Sequence, residues 1–259
     1  MNILIGDIGN TITKICLLEK KRLKVKKIVY INSKDLMSKN LLKKKLESIA
    51  GTKSMNKLAL FSSVVPKYFM IIKKILKKIY GIKLKEIKEK NIKKIIKINI
   101  KNKRQVGSDR IANAVGVYKK YKKNCIVLDF GTATTFDVVT GNGIYNGGVI
   151  APGIRLSMNS LSNSADQLPV FSIKKQKKVI GKNTIEALRS GFYWGYSGLI
   201  NNIILKIEKE TKKKYKIIFT GGYAQLFKNS IKKKFTIDKN ITINGVIEIF
   251  KENKYILIK

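Results

Sequence analysis

Residues 125–139 read Cys-Ile-Val-Leu-Asp-Phe-Gly-Thr-Ala-Thr-Thr-Phe-Asp-Val-Val. The first four, Cys125 to Leu128, are apolar and rich in β-branched side chains, as in a strand buried on both faces. They run into Asp129. Gly131 and the threonines supply a turn, and residues 136–139 return as a second strand. A carboxylate at the tip of a buried strand is costly to desolvate unless a cation or hydrogen bonds satisfy it. Beside it stand a glycine, which lets backbone N–H groups approach a ligand, and the hydroxyls of Thr132, Thr134 and Thr135. The combination fits a metal-bound phosphate held in a β-turn-β pocket.

The device recurs at the start of the chain. Residues 2–18 read Asn-Ile-Leu-Ile-Gly-Asp-Ile-Gly-Asn-Thr-Ile-Thr-Lys-Ile-Cys-Leu-Leu: an apolar strand into Asp7, then Gly9, Asn10 and Thr11, then a returning strand. One Asp-x-Gly is weak, because a strand ending in such a turn is commonly only a hairpin. Two copies in equivalent contexts predict a duplicated α/β fold whose halves each present a phosphate loop to a shared cleft.

The 259 residues suffice for a substantial core in one or two domains. No apolar run reaches the length of a membrane span, and the start lacks the basic n-region of a secretory signal. Cys16 and Cys125 both fall in predicted buried strands, which leaves no disulfide framework and points to a reducing cytoplasm. With no histidine, neither Ser-His-Asp nor Cys-His catalysis nor a His-ligated metal can operate. A general base must be Asp, Glu, Lys, Tyr or Cys. The charge is extreme, with 55 Lys+Arg against 16 Asp+Glu, formally +39. Such a balance suits nucleic acid or an anionic surface. Yet only five of these residues are Arg, the preferred reader of bases and phosphates, and the lysines are spread over most of the chain. A compositional drift toward Lys, Ile and Asn accounts for them without a specific nucleic-acid or membrane partner.

Along the chain, a strand is expected over 22–30 and a helix from a Ser33-Lys34-Asp35 cap to about residue 49. A buried strand over 58–65 halts at Pro66. A basic amphipathic helix follows over 67–80, burying Phe69, Ile72, Leu76 and Ile79. Residues 83–103 lack clear periodicity, and a domain junction falls near Val106. A helix covers 108–121, with Asp109 in its first turn, where the macrodipole favours a carboxylate. Further helices start near Arg155 and run over about 187–204. Glycines 191, 195 and 198 inside the latter cost stability, so close approach of a helix or ligand is expected there. A strand over 216–220 delivers Gly221-Gly222, and a last helix occupies the tail.

With both loops in hand, the sequence resembles the superfamily of sugar and acetate kinases, actin and heat-shock ATPases, and within it the type III pantothenate kinases. The resemblance rests on Asp7-Ile8-Gly9-Asn10-Thr11, Val106-Gly107-Ser108-Asp109-Arg110 and Asp129-Phe130-Gly131-Thr132-Ala133-Thr134-Thr135. Gly147-Gly148-x-x-Ala151-Pro152-Gly153, Gly181-Lys182-Asn183-Thr184 and Thr220-Gly221-Gly222 complete it, in the family's order and spacing. It implies two duplicated ribonuclease-H-like domains of the actin-like ATPase fold around a central cleft, 1–106 and 107–259, and ATP-dependent phosphorylation of pantothenate on the way to coenzyme A. It further implies that Asp7, Ile8, Gly9, Asn10, Thr11, Ile12, Thr13, Lys14 and Thr132 bind ATP, with Asp7 helping to place Mg²⁺. By the same resemblance Gly107, Ser108, Asp109, Arg110 and Thr184 bind pantothenate, Asp109 accepts the proton, Asp129 ligates K⁺ or NH₄⁺, and the protein is a homodimer. The sequence departs from the family at Ile100-Lys101-Asn102-Lys103, where a Tyr-x-Asn-Pro stretch is usual.

The chemistry is consistent with this without the family name. In-line phosphoryl transfer needs positioning and charge neutralisation more than covalent help. Two phosphate loops, carboxylates for Mg²⁺ and one further carboxylate for the attacking hydroxyl supply both. Arg110 can pair with an anionic substrate. Asp137 and Asp166 read as structural, and Glu186 as a dipole partner in the first turn of a helix. Two other readings are another kinase or phosphatase of the superfamily, and a basic nucleic-acid-binding regulator that keeps the fold. Against the regulator, both Asp loops are intact and no DNA-binding motif is present.

Overall fold

Residues 2–50 and 55–257 are described in the computed structural model. By packing, the chain forms two compact units, Met1–Lys122 with Gly143–Tyr145 and Asn240–Lys259, and Lys123–Asn142 with Asn146–Lys239.

The first unit opens with β1 (Asn2–Ile8), β2 (Ile12–Glu19) and β3 (Val25–Asn32), joined antiparallel. Helix α1 (Lys39–Ala50) leads to β4 (Leu58–Ser63), α2 (Pro66–Tyr80) and β5 (Lys83–Glu86). β4 pairs parallel with β1 and β5 parallel with β4, giving the order β3-β2-β1-β4-β5. Pro66 starts α2, where its missing N–H costs nothing, and Gly81 ends it in the left-handed region at φ 62. Phe69, Ile72 and Leu76 are buried as expected, but Ile79 is 43% exposed. The chain turns at Gly81, and Ile82, 1% exposed, takes the core position instead. The expected helix over 33–49 is broken. A 3-10 turn, Ser33–Met37, capped by Asn32 rather than Ser33, precedes α1.

After a short β6 (Lys97–Ile98) comes α3 (Ser108–Tyr121). The second unit then runs β7 (Cys125–Phe130), β8 (Ala133–Val139), β9 (Ile144–Pro152), α4 (Ile154–Ser164), α5 (Thr184–Thr211), β10 (Lys216–Gly221) and β11 (Phe235–Ile237). Its sheet repeats the first: β7 and β8 are antiparallel, β10 is parallel to β7, and β11 is parallel to β10. Read from the third strand of each set, β9-β8-β7-β10-β11 matches β3-β2-β1-β4-β5. The duplication inferred from two Asp loops is therefore a duplication of strand order. The last helix, α6 (Ile241–Leu257), returns to the first unit; residues 258–259 of the expected tail lie outside the described residues.

A cut at 106/107 assigns α3 and α6 to the second half, whereas by packing both stand with the first. Two glycines let the helices meet. A Cβ on Gly116 would lie 2.5 Å from the Ile241 carbonyl, and one on Gly245 would fall on the Ala112 carbonyl. Thr242 Oγ1 donates to Asn113 Oδ1 across the same contact at 2.7 Å. In the second unit, Phe130 stacks on Phe227 at 5.6 Å between centroids and meets Phe219 edge-on at 5.3 Å. These pairs, worth ~0.5–1.5 kcal/mol each beyond area, clamp the residue next to Asp129.

Candidate active site

In the first unit the parallel strands β1, β4 and β5 end together. Asp7 lies opposite Ser62, and Phe61 opposite Glu86. Asp7 is half-buried and sits across from Lys14 on β2. The turn that follows is tight, with Gly9 N–H donating to Ile12 O at 3.2 Å. Asn10, Thr11 and Ile12 form its exposed tip. Ile8 and Thr13 are fully buried, so their side chains face away from any ligand at that tip. Behind the turn stands Ser33, also fully buried. Its hydroxyl reaches Gly9 O (2.7 Å) and Thr13 Oγ1 (2.9 Å), and its N–H reaches Thr11 O (2.8 Å).

The N-terminus of α3 lies at this same edge. Gly107 caps the helix without a side-chain bond. A Cβ there would lie 2.5 Å from Asp109 Oδ1 and 3.5 Å from Val64 Cγ1. Val64 in turn gives its N–H to Ile8 O at 3.1 Å, which links Gly107 through Val64 to the strand that carries the first loop. Asp109 Oδ1 accepts from the Arg110 N–H at 2.7 Å. Burial pushes its pKa up, while Arg110 and Lys88 pull against the rise. The Arg110 guanidinium lies 5.9 Å from the Tyr145 ring centroid. Ser108, 2% exposed, faces inward toward a carboxylate that sequence reasoning missed. Glu86 is raised by burial and held down in part by the Ser108 hydroxyl; its Oε2 accepts from Lys88 N at 2.7 Å. The lysine-rich run around it masked any periodic signal.

In the second unit Asp129 ends β7 half-buried, and Thr132 is exposed at the turn, closed by Gly131 N–H to Ala133 O at 3.1 Å. Gly221 presses against this strand end at φ +85. A Cβ on it would lie 2.6 Å from the Phe130 backbone and 2.7 Å from Asp129 Oδ1. Thr220 pairs with Asp129 as Ser62 pairs with Asp7. Both hydroxyls, Thr220 Oγ1 and Ser62 Oγ, are buried without a hydrogen-bond partner among the described residues. Thr184 opens α5 after Asn183, whose side chain accepts from Glu186 N at 2.9 Å. Glu186 Oε2 accepts from the Lys182 N–H (2.9 Å), and the carboxylate stands in the first turn of α5, as expected of a dipole partner. Thr184 also lines an apolar groove of about 630 Å³ with Pro152, Leu188, Gly191, Phe192 and Gly195. Gly191, Gly195 and Gly198 meet nothing within 4 Å, so no other part of the described chain makes the close approach expected at them.

Two α/β units of one strand order, each opening on a strand-end aspartate and a short turn, define the actin-like ATPase fold. A glucokinase from Streptomyces griseus superposes on the chain with TM-score 0.52 at 9% identity, covering 97% of this chain and all of that one. A Campylobacter jejuni chain, assigned by its description to the Baf family of transcriptional activators, does so with TM-score 0.63 at 23% identity, covering 97% and 99%. Both likenesses show the fold. The sequence comparisons go further. The family model for type III pantothenate kinase matches residues 3–206. The type III pantothenate kinase of Pelagibacter ubique (strain HTCC1062) is 52% identical over 248 residues, 95% of this chain and 97% of the relative. That of Hyphomonas neptunium (strain ATCC 15444) is 38% identical over 193 residues, 74% and 76% of the two chains. The chain belongs to the type III pantothenate kinase family.

Proposed function

We infer that the protein transfers the γ-phosphoryl group of ATP to pantothenate, giving 4′-phosphopantothenate for coenzyme A synthesis. The observation that carries the reading is the Asp109 carboxylate at the start of α3, given room by Gly107 beside the strand that ends in the first loop. In this reading Asp109 orients the attacking hydroxyl and takes its proton as the P–O bond forms. That timing suits a loose transition state with late proton transfer. Burial moves Asp109 upward toward working pH, which favours a general base. Arg110, braced on Tyr145, pairs with the pantothenate carboxylate. Gly107, Ser108 and Thr184 complete the substrate contacts. The backbone and exposed side chains of residues 7–14, with Thr132, take the ATP phosphates.

Among the described residues no group of three or more His, Cys, Asp or Glu can hold a metal ion. Mg²⁺ in kinases is held by one or two carboxylates plus substrate phosphates and water, a donor set that Asp7 with ATP fits. When bound it supplies neutralisation of the phosphate charge. For K⁺ or NH₄⁺ the fit is closer. Asp129 and the orphaned Thr220 hydroxyl stand side by side on paired strands, two oxygens suited to a weakly charged cation. We assign the open glycine face of α5 and its apolar groove to a second copy of the chain, which makes the protein a homodimer. Among the described residues no helix is long and apolar enough to cross a membrane. Both cysteines are free and buried, with burial pushing the thiols up to about 12 and about 11, which fits a reducing cytoplasm.

The test is a coupled assay of ATP consumption with Mg²⁺, with and without pantothenate, and identification of the product by mass. ATP use that ignores pantothenate but responds to a sugar refutes the assignment.

A further inference from the structure

Ser33 lies 24 residues along the chain from Gly9, yet its hydroxyl and its N–H both bond the first loop. It carries one hydroxyl proton, which goes to Gly9 O at 2.7 Å. The contact with Thr13 Oγ1 at 2.9 Å must then have Thr13 as donor, giving a chain from Thr13 O–H to Ser33 O–H to the Gly9 carbonyl. Such chains polarise one another, and both side chains are fully buried, where the links are not diluted by water. The Ser33 N–H meanwhile fixes the Thr11 carbonyl at 2.8 Å. Both carbonyls are thus turned onto Ser33. A planar trans peptide sets each N–H opposite the carbonyl before it. The N–H groups of Asn10 and Ile12 therefore point away from Ser33, at the exposed tip of the turn. Two N–H groups directed outward from alternate peptides of one turn can converge on an anion such as a phosphate.

We propose that Ser33 is a positioning residue for nucleotide binding: its hydroxyl and N–H hold the Gly9 and Thr11 carbonyls inward so that the loop's N–H groups are preset for the ATP phosphates. The proposal rests on the kinase reading above and adds to it a residue that touches no substrate. It also gives Thr13 a different task from its neighbours, since its hydroxyl stands behind the loop and serves Ser33.

The experiment compares Ser33→Ala, Ser33→Thr, Thr13→Val and the Ala/Val double variant. It measures direct binding of Mg²⁺-ATP by titration calorimetry and the KM for each substrate. A net buried hydrogen bond is worth about a factor of ten in affinity. Ser33→Ala should therefore weaken ATP about tenfold in both Kd and KM while the KM for pantothenate moves less than about twofold; Ser33→Thr, which keeps the hydroxyl, should restore most of the loss. Thr13→Val, with nearly the same volume, should weaken ATP by a smaller factor. The double variant should match Ser33→Ala within about twofold, because both changes break one chain. Unchanged ATP affinity in Ser33→Ala overturns the proposal, as do additive losses or an equal rise in both KM values. Should Ser33→Ala not fold, Thr13→Val decides: ATP binding equal to wild type overturns the proposal. The calorimetric arm needs no pantothenate, so it judges Ser33 even where the substrate assignment fails.

Discussion

Replacing Asp109 by Asn separates the chemistry of this carboxylate from its place in the fold. The Asn side chain has almost the same shape, and its carbonyl oxygen can still accept the Arg110 N–H that Oδ1 accepts at 2.7 Å. The packing beside Gly107 is therefore kept, and what is lost is charge and basicity. General-base catalysis contributes ~10²–10⁴-fold, so kcat should fall by that factor with the Kd for Mg²⁺-ATP nearly unchanged. Stability should respond in the opposite sense. Burial raises the folded pKa of Asp109, so between the unfolded and folded values the native state holds more proton than the unfolded one. Stability contributed by this group is then lost as pH rises through that window, and at neutral pH the ionised carboxylate is a cost that Asn lacks. The variant should melt no lower than wild type at pH 7, with any advantage fading toward acid. In wild type the acid limb of kcat/KM for pantothenate should lie above the ordinary carboxylate range, since the base is lost as pH falls through the raised pKa; the limb should vanish in the variant. Rate measurements at saturating substrates and a pH series of thermal melts test both. A variant that keeps kcat within about threefold places the proton acceptor elsewhere.

Activity should depend on K⁺ or NH₄⁺ at matched ionic strength, and Thr220→Val should raise the K⁺ concentration for half-activation by roughly 10-fold or more; equal rates in Na⁺-only buffer count against the site. Gly221→Ala forces a side chain into φ +85 and toward Asp129 Oδ1, so it should cost ~1–3 kcal/mol in denaturant unfolding. It should also blunt the cation response, and a variant of wild-type stability contradicts the contact. Gly195→Leu fills the open groove face of α5 and should give monomers by sedimentation velocity; an intact dimer removes that surface from the interface. The lysine excess should give nucleic-acid binding without sequence preference that collapses with added salt, and tight binding to one sequence at physiological salt reopens the regulatory reading.

The parts of the fold that were legible are those written locally. An apolar run ending in Asp and a glycine-bearing turn, returned by a second apolar run, specifies a strand pair whose register the side chains themselves set. Both hairpins and the helix Ser108–Tyr121 accordingly lie where the residues put them. Contacts between distant stretches were not legible. The α3–α6 contact joins residues more than a hundred positions apart through Gly116 and Gly245, and a lone glycine in a helix does not say what approaches it. Ile79 has the right helical phase but sits on the final turn, where the chain leaves before the core covers it. Ser33 followed by Lys34 and Asp35 reads as a helix cap, and nothing in those three residues points to Gly9. Glu86 stands in a lysine- and isoleucine-rich run whose pattern gives no face.

The two loops share a carboxylate, a strand order and an orphaned hydroxyl on the neighbouring strand, yet they are braced by different means. The first is held from behind by a side chain, through the hydroxyl of Ser33. The second is held by backbone pressed on backbone, with Gly222 N–H on Phe130 O at 3.1 Å and Gly153 against the Thr132 carbonyl. Opposite kinds of change should therefore damage them. Removing a single oxygen loosens the first, because the part-buried carbonyl it held loses its partner. Adding a single carbon at Gly153 or Gly221 spoils the second, because there is no space for it and backbone cannot step aside as a flexible side chain does. The duplication is thus visible in topology and in the two aspartates, while the surrounding residues diverge. Each copy conserves the position of its charge, and the bracing that fixes that position differs from one loop to the other.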